Sequence, residues 1–262
     1  MVSGKFVLST HSPLTAHHFK EMNNQNNTNS MLPIVIIGLV LVVALVGGWF
    51  WYSSTATVKT NPSNKTPTNK TPDNSAEIYS KGTPGANPPN MLGSPTATVT
   101  VEEFADYQCP TCAVKHPIAK EIINAYGSRI KFIFRNFPLQ MHDKAYDAAV
   151  AAEAAGLQNK FWDMQNQLFT NQSSWSTTNP ASFRGVLEEY AQKIGLDVEK
   201  FKTDMAGLQA KNRVDFDMQR GRSIRVISTP SFYINGKPVA LEQMTVEGFK
   251  QLIDAELQKS QQ

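Results

Sequence analysis

Residues 98–117, TVTVEEFADYQCPTCAVKHP, constrain this chain more than any other stretch. A β-branched run from Thr98 to Val101, continued by Phe104 and Tyr107, reads as a strand. It ends at Cys109-Pro110-Thr111-Cys112, and a helical pattern follows at once. Pro110 suits the first helical turn, where its missing N–H would have had no helical partner. The two cysteines are the only ones in the 262 residues. None is left for a structural disulfide, so the core must hold the fold and the pair is available for chemistry.

Two cysteines at i and i+3 on a first helical turn can close a small disulfide. Cys109 would stand at the helix N-terminus, where unpaired backbone N–H groups and the dipole favour an anion. That stabilises its thiolate, the form that attacks and leaves. Cys112, one turn further in, reads as the more buried partner that resolves a mixed disulfide. Half of a zinc site is another reading, with His116 and His142 as further ligands. Haem attachment needs a histidine directly after the second cysteine, and Ala113 is there instead. His116 reads as a packing or surface residue, and Pro117 predicts a kink in the helix. Alternation sets Glu102 and Glu103 on opposite faces of the strand. A carboxylate beneath the cysteines would relay protons to Cys112; a solvated edge charge is the plainer alternative.

The rest of the chain frames this stretch. Residues 1–30 are polar, with MNNQNNTNS at 22–30, and read as disordered. Residues 31–52 carry the run LPIVIIGLVLVVALVGGWFWY, long enough to cross a bilayer as a single helix, with Trp49 to Tyr52 suited to the headgroup boundary. The run reads as a retained anchor; a cleaved signal peptide ending near Ser54-Thr55-Ala56 is the alternative. Residues 53–94, rich in Thr, Asn, Pro and Ser with NKTP twice, read as a flexible linker. The folded domain is expected over 95–262. A formal charge of +3 gives no footprint for nucleic acid.

Within the domain, residues 97–105 and 130–137 read as strands around the helix 110–126. A helical block follows over about 142–222. Ser231 to Ile234 returns to strand, Asn235-Gly236 signals a hairpin, and a closing helix over 245–259 is capped by Thr245. The order β-α-β, helical block, β-β-α is an α/β thioredoxin arrangement with a helical insertion, preceded by a transmembrane helix.

FADYQCPTC, RNFPLQMH, KFWDMQNQLF and ISTPSFYINGK, in that order, resemble the DsbA-like thioredoxin family, most closely its membrane-anchored or secreted bacterial members such as BdbD-like proteins. The resemblance covers about residues 95–258. It implies a thiol–disulfide oxidoreductase that needs no cofactor or metal and works outside the cytoplasm. Substrates would be thiol-containing exported proteins, and the redox partner a quinone-linked membrane protein. By position Cys109 resembles the nucleophile and Cys112 its buried partner. Pro230 matches a cis-proline facing the disulfide, Thr229 the residue whose backbone pairs with substrate, and Glu103 the acid below the site. Pro110 keeps the family's CPxC, but Thr111 replaces the histidine of DsbA. An uncharged hydroxyl stabilises a thiolate less, so a milder oxidant than DsbA is expected. The combined reading is an anchored dithiol oxidase. A reductase or isomerase, and a metal-binding module using both thiols, are the rivals.

Overall fold

The computed structural model describes residues 74–261. The expected disordered segment, the membrane anchor and linker residues 53–73 lie outside them. Among the described residues no helix is long and apolar enough to cross a membrane.

The elements run α1 (Ser75–Ser80), β1 (Asn90–Gly93), β2 (Val99–Ala105), α2 (Pro110–Tyr126), β3 (Ile130–Asn136), then a helical block. The block comprises α3 (Ala145–Gly156), α4 (Phe161–Thr170), α5 (Gln172–Trp175), α6 (Pro180–Lys193), α7 (Val198–Ala206) and α8 (Leu208–Ser223). β4 (Ser231–Ile234), β5 (Lys237–Pro238) and α9 (Val246–Lys259) complete the fold. Strand order is β1-β3-β2-β4-β5. β2 and β3 pair in parallel from Val99↔Ile130 to Ala105↔Asn136, with α2 as their crossover, while β1 and β4 flank them antiparallel. β2 and β3 are therefore central, and five consecutive residues at the end of each are buried. This is the thioredoxin arrangement with a helical insertion between β3 and β4.

Both faces of the sheet are covered. Val99, Val101 and Ala105 belong to one core with Ala119 and Ile122 of α2 and Phe249 and Ile253 of α9. Phe104 points the other way and packs with Phe137, Ile224 and Val226. There α8 approaches so closely that a Cβ on Gly221 would come 2.4 Å from the Phe137 ring. In the block, seven alanines of α3 (145, 148, 149, 151, 152, 154 and 155) are buried, and their small side chains let α4, α7 and α8 lie against one helix. The Asn235-Gly236 turn has positive φ at both residues, 47° and 79°, the geometry that a two-residue hairpin requires. The Thr245 hydroxyl accepts from Gly248 N at 3.0 Å and caps α9.

Two expectations need correction. The domain does not begin near Pro95, because residues 74–94 are folded rather than linker. β1 forms the sheet edge against β3, and the irregular chain before it is held by arginines from distant elements. Arg135 donates to Ala86 O and Pro84 O at 3.0 and 3.1 Å, Arg220 to Tyr79 O and Thr83 O at 3.2 Å each, and Arg213 to Pro88 O at 3.0 Å. A segment with little apolar content is thus ordered through its backbone carbonyls, which composition does not reveal. The partner strand of the hairpin is also shorter than 237–240: paired residues end at Pro238, with one further bond from Val239 N to Phe232 O at 2.8 Å.

Candidate active site

Cys109 is the N-cap of α2, with Pro110 as the first helical residue. Its backbone is extended (φ −71°, ψ 120°), and its N–H donates to Asp106 O at 3.1 Å. Cys112, one turn along, is fully buried, while Pro110 and Thr111 between them are exposed. Both cysteines are thiols in this structure. The two have opposite character. A hydrogen bond from the Cys112 thiol, then the Thr229 side chain and the backbone N–H groups of Cys112 and Thr111, lower the Cys109 pKa to about 5 despite partial burial. Burial first, and the adjacent Cys109 sulfur second, push the Cys112 thiol far above the ordinary range. A helix N-terminus in an apolar setting thus makes one thiolate and one retained thiol from the same residue type.

The loop before β4 closes over the pair. Cys109 Sγ lies 3.4 Å from Thr229 O, to which its thiol can donate. Among the described residues, the Thr229 hydroxyl is buried with no hydrogen-bond partner in this geometry, and the Thr229 side chain favours the thiolate of both sulfurs. Pro230 is buried, and the Thr229–Pro230 bond is cis. The structure therefore unites Cys109, Pro110, Thr111 and Cys112 with Thr229 and Pro230.

Glu102 and Glu103 are both buried, so the solvated edge charge is corrected for each: β2 is covered on both faces. Glu102 faces α8. It accepts from Arg135 Nε at 2.7 Å, Arg220 Nη2 at 3.1 Å and the Tyr79 hydroxyl at 2.6 Å. These partners outweigh the cost of burial and lower its pKa. Glu103 faces α2, on the side of the cysteines, and burial alone raises its pKa to about 8. It lines a cavity of about 320 Å³ between α2 and α4, with Ala119, Phe132 and Trp162 as walls and His116 and Lys120 among its polar lining. His116 is buried and stacked on Phe169 at 4.8 Å, which makes it a packing residue. Burial lowers its pKa.

The thioredoxin family model matches residues 86–255. A probable disulfide bond formation protein D of Bacillus cereus is 32% identical over 179 residues, which are 64% of this chain and 78% of that protein. The chain belongs to the DsbA-like thioredoxin family. The oxidised structure of BdbD from Bacillus subtilis matches it with a TM-score of 0.58 at 27% identity, over 68% of this chain and 97% of that one. A second kind of relative shares only a module. The Na(+)/H(+) antiporter NhaA 1 of Mycolicibacterium gilvum is 34% identical over 153 residues, 56% of this chain, but the chain spans only 23% of that protein.

The DsbA-like site has supports that the sequence does not single out. Asp106 is buried. Its carboxylate accepts from Gln108 N at 2.7 Å and Leu139 N at 2.8 Å and pairs with His142 Nδ1 at 2.7 Å. It thereby joins the loop before Cys109 to the loop after β3; His142 is bound here, while His116 meets Asn166 and Phe169. Gln172 of the helical block donates from Nε2 to Tyr107 O at 2.7 Å and Cys109 O at 2.8 Å. The Asp-x-x-Cys spacing is a local signal for Asp106. Gln172, 63 residues beyond Cys109, has no local signal.

Proposed function

We propose that this chain is a thiol–disulfide oxidoreductase that oxidises dithiols in exported proteins. The carrying observation is the asymmetry of the pair: one thiol lowered to about 5, its neighbour raised far above the ordinary range. In the oxidised enzyme, a substrate thiolate attacks Cys109 Sγ. The Cys109–Cys112 bond breaks, and its electron pair leaves on Cys112, which takes up a proton. Glu103, protonated at neutral pH on the same side of the sheet, is the proposed donor. A second substrate thiolate then attacks the substrate sulfur of the mixed disulfide. Cys109 departs as a stable thiolate, which makes it a good leaving group. The substrate gains a disulfide and the enzyme becomes a dithiol.

The cis-proline loop supports substrate docking beside Cys109, since Thr229 O lies at the sulfur and its neighbour Ser228 is exposed. The apolar run at 31–52 supports a single-pass anchor in the cell membrane with this domain on the outer side. A quinone-linked membrane protein is the proposed reoxidant, by family likeness. The test is to mix oxidised protein with a reduced dithiol peptide: one disulfide should form per enzyme reduced. Cys112→Ser should accumulate a mixed disulfide through Cys109. A folded Cys112→Ser protein that traps none contradicts the mechanism.

A further inference from the structure

We propose that Gln172 is a positioning residue for the Cys109 sulfur, through which the helical block fixes the Cys109–Pro110 peptide plane at the start of α2. The inference rests on reading Cys109 as the attacking sulfur, but not on the direction of electron flow.

One amide nitrogen of Gln172 serves two carbonyls, Tyr107 O at 2.7 Å and Cys109 O at 2.8 Å. The side chain is only 7% exposed, so water does not substitute readily for these bonds. Among the described residues, Cys109 O otherwise receives only a long first-turn bond, 3.3 Å, from Ala113 N. The Cys109 N–H is tied to Asp106 O. With both ends of the residue held, the Cys109–Pro110 peptide plane is set, and the N–H groups of Thr111 and Cys112 face the sulfur. Pro110 contributes no N–H, so these two supply the helix-end donors to the sulfur, alongside the Cys112 thiol and the Thr229 side chain.

The amide is carried on a rigid turn. Gln172 opens α5, whose Trp175 is buried, donates from Nε1 to Leu168 O at 2.7 Å and stacks on Phe183 at 4.7 Å. Leu168, Trp175 and Phe183 all belong to the inserted block. The block therefore does more than cover the thioredoxin core: it holds the nucleophile's own carbonyl.

The experiment is titration of the Cys109 thiolate by its ultraviolet absorbance in wild type, Gln172→Met and Gln172→Asn, together with equilibration against glutathione. Met keeps the length and removes the donors. Asn keeps the amide but is one methylene too short to reach both carbonyls. Both variants should raise the Cys109 midpoint by about one unit, a tenfold change in the thiol–thiolate equilibrium. The equilibrium with glutathione should move toward the protein disulfide by up to about the same factor. Measuring both variants keeps the answer independent of whether either one alone folds. If a folded variant loses thermal stability while its Cys109 midpoint and glutathione equilibrium match wild type, Gln172 is only a structural joint and the proposal fails. Failure of the oxidase reading would appear differently, as a low reduction potential in the wild-type protein with the Gln172 effect intact.

Discussion

Cys109 Sγ lies 3.4 Å from Thr229 O, 120 residues later in the chain. The contact joins the two halves of the site, a helix start after β2 and a proline loop before β4. The parallel β2–β3 pair and the antiparallel β2–β4 pair bring them together. The acidity of Cys109, set first by the neighbouring Cys112 thiol, also has a tertiary part from the Thr229 side chain, and its consequences are measurable.

The first concerns pH. The folded pKa of Cys109, about 5, lies below the ordinary thiol value of 9.0. A depressed folded pKa contributes stability that is complete above the unfolded value and is lost as pH falls through the folded one. The melting temperature of the reduced protein, relative to the oxidised, should therefore rise with pH from about 5 to about 9, and fall beyond it, because the unfolded chain then releases the Cys112 proton that burial makes the folded protein keep. Thermal unfolding of both forms across that range checks this; a flat difference would show that the thiolate is not stabilised.

Glu103 has the opposite sign. Its folded pKa, about 8, exceeds the ordinary 4.5. The folded protein keeps a proton that the unfolded chain releases, so stability falls as pH rises between these values. Glu103→Gln should leave stability unchanged below pH about 4 and raise it by roughly 4 kcal/mol near pH 8. The oxidised protein is the form to use, since it carries no cysteine titration. If Glu103 is the proton donor, the same variant should also slow release of Cys112.

Arg135 binds Glu102 and Asp217, both buried, and the carbonyls of Ala86 and Pro84. Arg135→Met should cost about 3–5 kcal/mol, because it strands charges away from water. Limited proteolysis should then cut within residues 81–90, while the Cys109 titration stays near wild type. Loss of the Cys109 shift in a folded variant would show that the arginine clamp and the site are coupled.

Thr111 is exposed between the cysteines and carries no charge. Thr111→His would place an ionisable ring beside the thiolate. It should lower the Cys109 midpoint further and move the glutathione equilibrium toward the dithiol. Titration and equilibration of the variant check both, and an unchanged midpoint would remove Thr111 as a tuning position.

Much of this was legible in the sequence because it is encoded locally. The strand–CPTC–helix junction, the Asn235-Gly236 turn and the Thr245 cap each rest on a few adjacent residues, and the structure has them where the pattern predicts. The alternation of Glu102 and Glu103 also held, but their burial could not be read, because it depends on what covers each face. Glu102 is neutralised by Arg135 and Arg220, 33 and 118 residues away. The folding of 74–94 was hidden for the same reason: its carbonyls are held by Arg135, Arg213 and Arg220. Gln172 was invisible because a polar residue at a helix start has many ordinary uses, and only the fold shows which carbonyls it meets.

The most direct test of the account is the reduction potential of the Cys109–Cys112 pair, measured by equilibration with glutathione. A Cys109 thiol lowered to about 5 stabilises the dithiol form. The potential should fall well above that of thioredoxin, about −270 mV, and, with Thr111 in place of histidine, below that of DsbA, about −120 mV. A value at or below about −270 mV would contradict the oxidase account.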